Sequence, residues 1–334
     1  MTATEMKALL CDEPGKLTCV TRPRPEDKPG HLRIRIEAIG ICGTDYHIYG
    51  GNQPFLQYPR VMGHELSARA MADSADGRIK EGDLVVVNPY LTCGKCRACT
   101  IGKPNCCENI AVLGVHTDGG MCEEIVVPEG NLYPAGDLSP QAAAMVEFLA
   151  IGAHGVRRSG LGEGVTALIV GAGPIGVGAG LFAHIAGAEV TLRDTSPDRL
   201  ALAKEIIPAA KTELVSEMAD TLYDNVFDAT GNIGAMNAGL TYLAHGGNYV
   251  LLSVVKGDLS FADPEFHKRE TTLFASRNAL KVDFEHVMDC MAKGLVPVDK
   301  IGTHRTTIEG AVEDLPKWAE DRGSVVKALI EVTA

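Results

Sequence analysis

Cys93, Cys96, Cys99 and Cys107 fall within the run CGKCRACTIGKPNCC, and their spacing constrains the chain more than any other feature. Three cysteines at steps of three, with a fourth eight residues on, can surround one tetrahedral zinc ion, which takes four soft thiolates from a short knuckled loop. A closed set of this kind leaves no coordination position for a substrate, so any chemistry must come from a second place. Candidates stand upstream: Cys42 in GICGTDYH, and His64 and Glu65 in GHE. A thiolate, an imidazole and a carboxylate suit a metal site that keeps one position open. Cys106 abuts Cys107 and could compete for the metal. The scattered Cys11, Cys19, Cys122 and Cys290 show no disulfide-like pattern and read as small buried hydrophobes of a reducing compartment.

A chain of 334 residues exceeds the roughly 250 to 300 at which a single core stops growing, so two domains are expected. The texture divides accordingly. The first 150 residues carry short β-branched runs (LRIRIEAIGI, LVVVNPY, EEIVVP) separated by Gly, Pro and Asp, the pattern of small antiparallel sheets and barrels. After a helix-like stretch from Gln141 to Val156, apolar strands (VTALIV, AEVTLR, NVFDAT, NYVLLSV, TTLFAS) alternate with helix-like segments as far as Asn278, which predicts a parallel sheet flanked by helices. The remainder opens with an amphipathic helix, FEHVMDCMAKG, and ends with the strand-like VVKALIEV.

A net charge of -12 opposes nucleic acid or an anionic membrane as partner, because phosphate binding needs a basic surface. The cysteine run is thus a poor nucleic-acid ribbon, with only Lys95, Arg97 and Lys103 supplying positive charge. No apolar segment approaches the roughly 20 residues of a membrane span, and the N-terminal residues carry no secretory pattern. A cytoplasmic enzyme is expected.

Gly171, Gly173 and Gly176, with Pro174 and Ile175 between them, form GAGPIG directly after VTALIV and before a helix. In that setting the first glycine permits a tight turn, the second lets the backbone approach a pyrophosphate, and the third allows close helix-to-strand packing. Asp194 ends the next strand, where a carboxylate can accept hydrogen bonds from the ribose of NAD and repel the 2′-phosphate of NADP. Arg199 follows closely and could pair with a phosphate.

With GICGTDYH, GHE, the cysteine lobe and GAGPIG in this order, the chain resembles the zinc-containing medium-chain alcohol dehydrogenases over essentially its whole length. The resemblance implies an α/β fold: a GroES-like, β-rich catalytic domain over 1–150 and 279–334, and a Rossmann doubly wound parallel-sheet domain over 151–278. It implies two zinc ions per subunit and NAD. By position, Cys42 and His64 would ligate the catalytic zinc, with Glu147 of MVEFLAIGAH or Glu65 as a further, exchangeable ligand. Asp45 would orient the ligating histidine, Thr44 would relay the substrate proton, and His47 would take it up. Phe148 stands where a proline usually follows the glutamate. A homo-oligomer, dimer or tetramer, is implied as well.

Longer strings, among them GGNQPF, YPRVMGHE, LGVHTDGG and FADPEFHKRETTLFASRNA, resemble the sugar-acid branch of this family, implying oxidation of a secondary hydroxyl of an acyclic hexonate. A polyol or L-threonine is the alternative substrate. An anionic substrate on an acidic protein needs a local cation, for which His116, Lys256, His267, Lys268 and Arg277 are the candidates.

Overall fold

The computed structural model describes residues 4–53, 56–217, 220–321 and 323–332, so that Pro54 and Phe55 of GGNQPF lie outside it. The chain divides into two units, Met1–Glu147 with Met288–Gly294 and Ile301–Ala334, and Phe148–Val287 with Leu295–Lys300. The fold is α/β. Among the described residues no helix is long and apolar enough to cross a membrane.

The first unit is built on a mixed sheet whose central strand, His31–Ile41, pairs antiparallel with Glu65–Ala70, with Glu124–Pro128 and with the C-terminal Lys327–Glu331. Leu32, Ile34, Ile36, Ile39 and Ile41 bury their side chains, which is why this apolar run occupies the middle of the sheet. The register sets Gly40 opposite Glu65 on one side and opposite Leu329 on the other. Gly40 has no side chain, so the groups on either side of it can meet above the strand. A short ladder, Tyr90↔Val112 and Leu91↔Ala111, closes the loop that carries the four cysteines.

The second unit is a six-stranded parallel sheet in the order Lys211–Leu214, Glu189–Asp194, Thr166–Val170, Tyr223–Asp228, Leu243–Leu251, Thr272–Ala275. The order reverses between Thr166–Val170 and Tyr223–Asp228, and in open α/β sheets the crevice at such a switch point binds ligands at the carboxyl ends of the strands.

Four elements differ from the sequence expectation. The helix expected from Gln141 is two, Pro140–Ala144 and Val146–Ser159, interrupted at Met145. Lys211–Leu214 is a strand although its sequence, KTEL, is polar; it lies at the sheet edge and packs on one neighbour only. The C-terminal segment contains a further strand, Gly302–Thr307, and a helix, Ala311–Glu320.

Candidate active site

The four cysteine sulfurs converge. Cys96 Sγ lies 3.5 Å from Cys99 Sγ and 3.8 Å from Cys107 Sγ, and Cys107 Sγ lies 3.5 Å from Cys93 Sγ. A zinc tetrahedron with Zn–S bonds of about 2.3 Å has sulfur–sulfur edges of about 3.8 Å, so the spacing fits one ion without rearrangement. Backbone N–H groups of Cys93 and Cys96 point at Cys107 Sγ and Cys93 Sγ, as donors to thiolates. Backbone N–H groups of Lys95 and Cys96 lower the pKa of Cys93, whereas burial and the neighbouring sulfurs raise that of Cys99. Four thiolates cannot all stay charged at this distance without a cation between them. Cys106 is exposed and is not part of the set.

The second set forms at one end of the central strand. Donor atoms of Cys42, His64 and Glu65 lie within 4.8 Å of one another. Cys42 precedes the helix Gly43–Tyr49, whose first turn places Asp45 beneath it. Asp45 is fully buried. Its Oδ2 accepts from Cys42 N at 2.8 Å and its Oδ1 from Gly63 N at 3.3 Å. The carboxylate therefore fixes the backbone beside both Cys42 and His64; no bond from it to the imidazole ring is found among the described residues, because both oxygens face backbone donors. Thr44 Oγ1 stands 3.9 Å from Cys42 Sγ. Thr44 is half-buried and His47 exposed, three residues apart on the same helix.

Glu147 opens the helix Val146–Ser159 and is buried, with Oε1 accepting from the Tyr90 hydroxyl. Its donor atoms are not part of the Cys42, His64 and Glu65 group, yet its charge acts on His64. Burial alone would lower the His64 pKa, but Cys42, Asp45 and Glu147 outweigh it and hold the imidazole well above its ordinary value. Burial and Glu65 push Glu147 up to about 7 against the pull of His64. His64 Nδ1 and Glu147 Oε2 have no hydrogen-bond partner among the described residues. Buried acidic groups with unused donor atoms, around a sulfur and an imidazole, fit a divalent cation of zinc's ligand preference.

Sequence reasoning missed the counter-charge. Lys327 Nζ lies 2.7 Å from both Glu65 oxygens and 3.2 Å from the Ile41 carbonyl oxygen. A lysine in VVKALIEV reads as a solvent-facing strand position, and only its alignment beside Glu65 across Gly40 reveals the pair. A Cβ on Gly40 would stand 2.1 Å from Glu65 Oε2, so the glycine provides the carboxylate's space.

In the second unit, the glycine loop follows Val170. Gly171 has φ +97, the left-handed conformation that favours glycine, and a Cβ on Gly176 would lie 1.8 Å from the Gly171 carbonyl oxygen. A Cβ on Gly173 would meet no protein atom within 4 Å, leaving open space at the start of the helix Pro174–Ile185. This space belongs to a cavity of about 530 Å³ lined by Gly171, Gly173, Asp194, Arg199, Arg193 and Tyr242 among others. Asp194 Oδ2 accepts from Ala172 N at 2.7 Å and Oδ1 from Ser196 N at 2.9 Å, so its carboxylate is fixed at the strand end. The cavity fits a dinucleotide, with the open backbone at Gly173 for a pyrophosphate and Asp194 for a ribose. Arg193, which with Arg199 is the sequence's candidate for a phosphate of NADP, is buried, bonds Glu213 Oε2 at 2.8 Å and stacks 4.6 Å from the Tyr242 ring centroid.

The basic candidates for a substrate carboxylate are scattered. His116 is exposed, with Nδ1 accepting from Val112 N at 3.1 Å. Lys256, His267, Lys268 and Arg277 are exposed on the second unit, and Lys268 pairs with Glu265 of its own helix at 3.7 Å.

Residues 28–137 match the alcohol dehydrogenase GroES-like domain and residues 174–293 the zinc-binding dehydrogenase domain. The chain is 42% identical to L-galactonate-5-dehydrogenase of Escherichia coli (strain K12), covering 97% of this chain and 98% of that protein. It is 33% identical to D-altritol 5-dehydrogenase of Agrobacterium fabrum, over 82% of this chain and 84% of that protein. The crystal structure of a short chain alcohol dehydrogenase from Escherichia coli CFT073, complexed with NADH, superposes with a TM-score of 0.92 at 29% identity, covering 98% of this chain and 100% of that one. With both domain families matched in order and a relative of this identity over nearly its full length, the chain belongs to the zinc-binding alcohol dehydrogenase family.

Proposed function

We propose that this protein oxidises a secondary hydroxyl of a sugar acid, an L-galactonate-like hexonate, with NAD as hydride acceptor. The observation that carries the reading is the pairing of one closed and one open set of metal donors, four thiolates against Cys42, His64 and a buried carboxylate. The substrate class rests on the 42% identity to L-galactonate-5-dehydrogenase. The residues assigned to a catalytic domain are 1–150 and 279–334, and those assigned to a dinucleotide-binding domain are 151–278.

Cys42 and His64, with Glu147 or Glu65, would hold the zinc, which would supply Lewis acidity toward a substrate hydroxyl, and NAD would supply the carbon that accepts the hydride. The chain does the rest. Thr44 takes up the hydroxyl proton as it passes its own toward the exposed His47. Asp45 keeps Cys42 and His64 in register through the backbone. Lys327 balances Glu65 so that the buried carboxylate does not destabilise the site. Gly171, Gly173, Pro174, Ile175 and Gly176 shape the pyrophosphate turn, Asp194 holds the adenosine ribose and excludes a 2′-phosphate, and Arg199 lines the same cavity. The lobe of Cys93, Cys96, Cys99 and Cys107 contributes folding free energy. The same reading takes the enzyme to act in the cytoplasm as a homo-oligomer, dimer or tetramer.

The test is absorbance at 340 nm on mixing the protein with NAD or NADP and a panel of hexonates, polyols and L-threonine. The reading expects the highest kcat/KM with NAD and L-galactonate. Equal activity on galactonate and galactitol would replace it with a polyol dehydrogenase lacking a carboxylate site, and preference for NADP would overturn the role given to Asp194.

A further inference from the structure

Two buried carboxylates stand near His64, and the protein holds them differently. Glu65 has both oxygens engaged by one ammonium, Lys327 Nζ at 2.7 Å from each. Glu147 has one oxygen engaged, Oε1 by the Tyr90 hydroxyl, and the other, Oε2, is without a partner among the described residues although the side chain is only 2% exposed. A carboxylate bound on one side only is restricted in rotation yet keeps a free lone-pair direction for a cation.

Tyr90 is itself fixed. Its N–H donates to Asn88 Oδ1 at 3.0 Å, and its carbonyl oxygen accepts from Asn131 Nδ2 at 3.1 Å. The same Asn131 Nδ2 donates to Asn88 O at 2.8 Å, so the three residues form one clamp. Tyr90 also opens the two-residue ladder with Val112 that closes the cysteine lobe. So short a ladder is not stable alone. The loop between its two strands carries the four converging sulfurs.

The geometry points to Tyr90 as a positioning residue: carried on the ladder of the cysteine lobe, its hydroxyl holds Glu147 through Oε1 so that Oε2 becomes the carboxylate donor to the catalytic metal. This rests on the reading that Cys42 and His64 hold a metal, and it assigns the third ligand at rest to Glu147, with Glu65 retained by Lys327.

Tyr90→Phe removes the donor and keeps the ring. Zinc retained per subunit is followed during dialysis against a chelator, and the visible absorption of cobalt is recorded after exchange into the catalytic site. Loss of an outer partner of a metal ligand typically weakens the metal by about ten- to a hundred-fold. Tyr90→Phe should therefore release the catalytic metal at correspondingly lower chelator concentration, keep the lobe zinc, and shift the cobalt spectrum. In a Glu147→Ala background the same change should have no further effect on the catalytic metal, since the hydroxyl's partner is gone. Unchanged retention with a superimposable cobalt spectrum would overturn the assignment. So would loss of the lobe zinc along with the catalytic one, which would make the hydroxyl a support of the lobe instead. Wild-type protein holding only one zinc per subunit would remove the catalytic site itself, and the inference with it.

Discussion

Lys327→Met puts the account of the buried site under its most direct energetic strain. Lys327 and Glu65 have side chains 1% and 0% exposed, and the ammonium meets both carboxylate oxygens at 2.7 Å. Methionine matches the lysine stem in volume, so packing is retained and the change is mainly the loss of a charge. What remains is a carboxylate beyond the reach of water and without its cation. Removing one partner of a buried ion pair typically costs about 3–5 kcal/mol. Two features place this case toward the upper end: both oxygens lose their donor, and the Ile41 carbonyl loses its contact at 3.2 Å as well. The protein has a single tryptophan, Trp318, on the helix Ala311–Glu320 of the first unit. Its fluorescence during urea unfolding therefore reports on the unit that contains the pair. In metal-stripped protein Lys327→Met should lose about 3–5 kcal/mol, and Lys327→Met combined with Glu65→Leu should recover most of it, because a buried pair replaced on both sides by apolar groups is often neutral or better. Zinc-loaded protein should lose less, since a cation at Cys42 and His64 offsets the stranded charge. A loss below about 1 kcal/mol in the stripped protein would show that the pair is solvated or that Glu65 is balanced by another group, and the argument would fail.

Gly40→Ala should displace the Glu65 carboxylate, whose Oε2 would lie 2.1 Å from the new methyl, with a loss of about 1–3 kcal/mol by the same urea assay. The glycine loop yields a paired test. Gly176→Ala meets the Gly171 carbonyl oxygen at 1.8 Å and should destabilise the second unit, whereas Gly173→Ala meets no protein atom within 4 Å and should leave stability unchanged while weakening NAD by about tenfold or more in a fluorescence titration. Stability should also depend on pH when metal is absent. Glu147 is pushed up to about 7 from an ordinary value of 4.5, so between those pH values the native state keeps a proton that the unfolded chain has released, and stability falls as pH rises across the window. His64, raised well above 6.5, adds to the fall at higher pH. Metal replaces these protons, so the stability gap between loaded and stripped protein should widen from about pH 5 to about pH 8; a constant gap would contradict the assignment.

The parts legible in the sequence are those whose chemistry is local. Four cysteines within one loop, or three glycines between a strand and a helix, state their purpose because the residues that act together are neighbours in the chain. The apolar strands of the parallel sheet are legible for a similar reason: burial on both faces makes each a continuous hydrophobic run, as in Thr166–Val170. The edge strand Lys211–Leu214 escapes because it packs on one side only and tolerates polar residues. Lys327 and Tyr90 escape for a different reason. Each is a polar residue whose burial depends on a partner far along the chain: Glu65 across the sheet and Glu147 at a helix start. Single-chain patterns record the side chain but not the partner that makes its burial favourable. Asp45 is intermediate. Its position in GICGTD marks it as important, whereas its bonds to the backbone of Cys42 and Gly63 emerge only from the fold.

The account stands or falls on the separation of two metal sites with different duties, and Cys42→Ser examines that separation most directly. Zinc content, urea midpoint and NADH formation from L-galactonate are measured together on wild-type and variant protein. Wild type should hold two zinc ions per subunit and reduce NAD. The variant should keep the zinc of the cysteine lobe and a cooperative urea transition, its midpoint lowered only by the stabilisation that the second zinc gives the wild type, because the serine preserves shape and the lobe is untouched, while losing that second zinc and forming no NADH above background. A Cys42→Ser protein that still oxidises L-galactonate at the wild-type rate would contradict the account.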